Sequence, residues 1–86
     1  MPIVSSFYGI IIYFYFEDHN PPHFHAKYNE FEALVDIKSF GIMRGSLPPK
    51  AHSLVIEGAS KHREELMNDW ELAKANITPE KIEPLK

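Results

Sequence analysis

Apolar residues recur along this chain with two different periods, and the switch falls at "GSLPPK", Gly45 to Lys50. Before it the period is near two, as in strands; after it the period is near 3.6, as in a helix. The first predicted strand runs from Tyr8 to Glu17. Its even positions, Ile10, Ile12, Phe14 and Phe16, form a purely apolar face, and its odd positions include Ile11, Tyr13 and Tyr15. A strand apolar on both faces is central, covered twice, or at an interface. "NPP", Asn20 to Pro22, must be a loop, because prolines cannot donate to a ladder. The second strand is His23 to Tyr28, with Phe24, Ala26 and Tyr28 on one face and His23, His25 and Lys27 on the other. The third is Phe31 to Ile37 and a short fourth is Ile42 to Arg44.

Asn29 and Glu30 fit a two-residue hairpin loop, since asparagine tolerates positive φ. That loop pairs Lys27 with Glu32, His25 with Leu34 and His23 with Asp36, and it keeps the apolar partners on one side. Extended back across a five-residue loop, the same logic pairs Tyr15 with His25 and Glu17 with His23. The non-core face then carries a row Glu17–His23–Asp36 beside a row Tyr15–His25–Leu34.

After the switch, proline is suited to the first helical turn. Ala51, Leu54, Val55, Gly58, His62, Leu66, Trp70 and Ala73 form one helical stripe. An unbroken helix here would be about 25 residues and ~38 Å long, so a bend near Gly58 or a break near Asn68 is expected. "KHREEL" reads as a solvated face. The expected fold is α+β: a three- to four-stranded antiparallel meander with one long C-terminal helix on the Phe14/Phe24/Val35 face. Residues 1–86 form one domain, with the meander at 1–45, the helix at 46–75 and a tail at 76–86 that docks around Ile82.

Composition narrows the chemistry. With no cysteine, disulfides and thiolate sites are excluded, which fits a cytoplasmic protein. The longest apolar run, Phe7 to Phe16, is half the roughly 20 residues that a membrane-spanning helix needs. Net charge is −3, so nothing suggests a nucleic-acid grip.

The candidate chemistry gathers in "DHNPPHFHAKY", which holds three of the five histidines. His23 and His25 project to one side and His19 lies on the adjoining loop. With a carboxylate they suit a divalent transition metal such as zinc. Alternatively His23 moves a proton with Asp36 as its orienting acid. A third reading makes the face an interface anchored by Ile11, Tyr13 and Tyr15; a fourth is a plain solvated face with exposed ion pairs. His62 and Trp70 read as core residues of the helix. Arg44 and Lys50 flank the helix start, where an anion could sit.

The segments "SFYGIIIYFYFEDHNPPHFHAKYNEFEALVDI", "GSLP", "HREEL", "DWELA" and "KIEPL" resemble the domain-of-unknown-function 4160 family, small bacterial and archaeal proteins. The resemblance covers essentially the whole chain, and "DHNPPHFHA" is its most specific part. It implies a short cytosolic protein, often encoded beside a second small protein of the domain-of-unknown-function 2442 group. Such two-gene layouts point to toxin–antitoxin modules. The leading expectation is a protein-interaction module, as a homodimer or with a neighbour-encoded partner. The alternative is a small metal-dependent hydrolase or nuclease.

Overall fold

A computed structural model describes residues 2–82. Five strands form one antiparallel sheet in chain order: β1 (Ile3–Phe7), β2 (Ile10–Tyr13), β3 (His23–Tyr28), β4 (Phe31–Asp36) and β5 (Ile42–Gly45). Two helices follow, α1 (Pro49–Lys61) and α2 (Arg63–Lys74).

The long first strand of the sequence reading is a hairpin instead. Tyr8 and Gly9 both have positive φ, 50° and 79°, as a two-residue primed turn requires. Phe7 then pairs with Ile10. The chain leaves the ladder after Tyr13, and Tyr13, not Tyr15, pairs with His25. The link to β3 therefore spans residues 14–22, and Glu17 leaves the sheet altogether. Its N–H donates to the carbonyl of Ala73 at 3.0 Å, at the end of α2. The β3–β4 register is the expected one, His23 with Asp36, His25 with Leu34 and Lys27 with Glu32.

The core lies between one sheet face and the helices. Ile10, Ile12, Phe14, Phe24, Ala26 and Val35 meet Val55, Ala59, Leu66, Trp70 and Ala73 there. Phe16, expected on this face, lies beyond the strand and is exposed. The helix breaks at His62, not at Gly58 or Asn68: its φ is −128°, and its N–H turns back to the Ala59 carbonyl at 3.0 Å. Charge favours this position. Lys61 lies in the last turn of α1, and Glu64 and Glu65 lie in the first turn of α2, each complementing its helix dipole. The one-residue break preserves the phase of the apolar stripe.

The tail docks as expected: Ile82 is buried and its N–H donates to Val4 O at 2.8 Å. Its remainder, residues 83–86, lies outside the described residues. Among the described residues no helix is long and apolar enough to cross a membrane.

Candidate metal centre

β3 delivers two imidazoles from alternate positions. His25 lies mid-strand on the face turned from the helices. The Tyr13 ring stacks on it at 4.9 Å and Tyr15 meets it edge-on at 4.5 Å. The tyrosines leave His25 only 5% exposed. Tyr13 is itself 1% exposed, so it is not the open partner anchor expected from the sequence. Ile11 is half-buried; Tyr15, of the three, stays exposed. His23 opens the strand, where the helical layer reaches it: its ring centre is 5.1 Å from that of Trp70. The expectation that both imidazoles shun the helices thus holds for His25 and fails for His23.

The carboxylate that completes the cluster is Asp18, from the loop. Its Oδ2 lies 2.9 Å from His23 Nε2 and 3.3 Å from His25 Nε2. The three donor atoms lie within 4.8 Å of one another. Asp36, the acid that strand register places opposite His23, is committed elsewhere. Its Oδ1 accepts the N–H groups of Lys38 at 2.7 Å and Ser39 at 3.0 Å, closing the turn into β5. Those bonds, that of Ser39 foremost, hold its carboxyl below the usual carboxylate range. Asp36 therefore caps a turn and is not the partner of a catalytic His23. His19 donates its backbone N–H to Asp18 Oδ1 at 2.9 Å. Its exposed ring lines the same cleft but is not one of the three clustered donors. A loop carboxylate cannot be found from register. The available signal was the Asp18 side chain five residues before His23 in a loop stiffened by two prolines.

Hydrogen bonds orient the members of this cluster. Burial raises the Asp18 carboxyl, but the His19 N–H and the two imidazoles outweigh it and hold the group below its usual value. Asp18 is therefore ionised at neutral pH. His23 Nδ1 lies 2.8 Å from the Pro21 carbonyl, which can only accept, so Nδ1 carries a proton. His23 Nε2, the nitrogen left to take a metal, faces Asp18 Oδ2 at 2.9 Å.

His25 behaves differently. Burial lowers its pKa, against the opposing pull of Asp18, so it stays neutral and donates from Nε2. Its buried Nδ1 has no partner among the described residues. A metal on Nε2 would move the proton to Nδ1, so His25 is the less prepared of the two nitrogen ligands. His23 carries the outer-shell hydrogen bond that metal-bound histidines typically make.

The cleft over this cluster holds about 520 Å³, and Glu32, Leu34 and Arg44 line its far side. Arg44 does not join Lys50 in an anion site at the helix start, because Lys50 lines a separate hollow with Tyr8 and Tyr28. His62 is half-buried, and its Nδ1 donates to Glu65 Oε1 at 2.6 Å. It takes no part in the cleft.

Together these features define a small α+β domain with a two-histidine, one-carboxylate cluster beneath an open cleft. The chain belongs to the family described as "Domain of unknown function (DUF4160)", whose pattern matches residues 9–71 and so includes every member of the cluster. No curated protein and no solved structure matches it.

Proposed function

We propose that Asp18, His23 and His25 hold a divalent transition metal, zinc being the ion this donor set suits, and that the protein performs metal-assisted hydrolysis. The observation that carries this reading is the approach of one carboxylate oxygen to two imidazole nitrogens, at 2.9 and 3.3 Å. Tetrahedral zinc, with bonds of roughly 2.0–2.1 Å, wants donors about 3.3 Å apart. Three protein ligands leave a coordination position free, the pattern of catalytic rather than structural zinc. When bound, such an ion brings the pKa of its water to about 7. The chain's own part is to orient His23 through Pro21 and to exclude water behind His25 with the two tyrosines.

The test is elemental analysis and zinc titration of untagged protein, with turnover of a chromogenic phosphodiester and a carboxylic ester before and after chelation. The expected result is about one zinc per chain, lost in Asp18→Ala and His23→Ala, with chelator-sensitive turnover. Protein that takes up no zinc, or hydrolysis indifferent to chelator, would overturn the reading.

One observation supports a second role, as an interaction module. Every residue of β5 is exposed, including Ile42 and Met43, and an open strand edge is a template for pairing. A homodimer, or a neighbour-encoded partner in a toxin–antitoxin arrangement, would use this edge rather than Tyr13. Light scattering across a concentration series reports the homodimer; a monomer at high concentration removes it.

A further inference from the structure

The residues across the cleft indicate what kind of molecule the centre acts on. β3, β4 and β5 bring His25, Leu34 and Arg44 into one row on the face away from the helices. Two strand spacings of ~4.8 Å put the Arg44 backbone roughly 10 Å from that of His25. Arg44 lines the same cleft as the cluster. Arg44 is exposed, and among the described residues it forms no ion pair. Glu32, on the same wall, has none either.

We propose that Arg44 receives the oxyanion head of a small ligand, phosphoryl or carboxyl, whose other end meets the metal. This rests on the metal-centre reading. A guanidinium presents a planar fork that matches either head with two parallel hydrogen bonds, and the cleft volume lies within the range of small-molecule sites. A divalent ion held by Asp18, His23 and His25 would add its own positive charge to the cleft that Arg44 also lines, so ion and guanidinium would both favour an oxyanion there.

Calorimetric titration of inorganic phosphate and of acetate into zinc-loaded and zinc-free protein, for the parent and for Arg44→Gln, tests this. The expected result is anion binding to the zinc form, weakened at least about tenfold by Arg44→Gln, with zinc affinity unchanged by that substitution. The tighter of the two probes assigns the head group. Zinc uptake with no anion binding, or with binding equal in parent and variant, would overturn the role of Arg44 and leave the metal centre standing. Failure to take up zinc would remove both. Arg44 is exposed on an edge strand, so loss of folding does not confuse the comparison.

Discussion

Asp18 Oδ2 stands 2.9 Å from His23 Nε2, although the strand partner of His23 is Asp36. Backbone pairing and side-chain partnership are thus separate at this position. Asp18→Asn is expected to weaken zinc binding by more than the roughly 10–100-fold that loss of an outer-shell partner costs. Asp36→Asn is expected to leave zinc affinity unchanged. Competition with a chromogenic chelator measures both.

Asp69 is 1% exposed; its Oδ1 accepts the Glu80 N–H at 2.9 Å and its Oδ2 has no partner among the described residues. Burial pushes its pKa up to about 6, helped by the charges of Glu80 and Glu65 and opposed by the Glu80 N–H. A carboxyl raised in the folded state favours folding where it is protonated. That contribution is full below about pH 4 and is lost as pH rises through about 6. At the scale of 1.36 kcal/mol per pKa unit the loss is on the order of 2–3 kcal/mol. Urea denaturation between pH 4 and 7.5 should show this decline in the parent. Asp69→Asn should flatten it.

Gly45 has a φ of +78°, and an added Cβ would collide with the Glu32 carbonyl oxygen. That oxygen also accepts the Ser46 N–H at 3.1 Å. Gly45→Ala therefore strains the backbone and opens the β4–β5 pairing together. A loss of about 2–3 kcal/mol is expected, read as a lower denaturation midpoint with an unchanged slope.

The two tyrosines around His25 should separate cleanly. Tyr13→Ala empties a site that is 1% exposed and is expected to cost about 3–5 kcal/mol, as for other large aromatic truncations. Tyr15→Ala, at a residue 45% exposed, should cost under half as much. Thermal denaturation at fixed pH compares them.

Much of this architecture can be read from residue order. The β3–β4 register follows from the Asn29–Glu30 turn, and the apolar stripe from Ala51 to Ala73 gives the helical face. β1 escapes because a bulge between Ile3 and Ser5 spoils its alternation, leaving Val4 and Ser5 both buried. The Tyr8–Gly9 turn hides inside an apolar run, where its glycine is the clue. The break at His62 is invisible to periodicity because the stripe keeps phase, and only the sign change from Lys61 to Glu64 and Glu65 marks it. In the cluster, strand alternation finds His23 and His25. It misassigns the acid, because a loop side chain obeys no register and because Asp36 is drawn off by the N–H groups of Lys38 and Ser39.

The hydrogen bond from Ile82 to the carbonyl of Val4 bears on how copies of this protein would assemble. It obstructs the margin of the sheet along β1, whereas among the described residues nothing covers the margin along β5. Lateral growth from a single margin ends after one addition, as in a closed two-fold pair, and cannot propagate into a filament. Removing Ile82 would reopen the second margin, so that any pairing through β5 could continue from the other side.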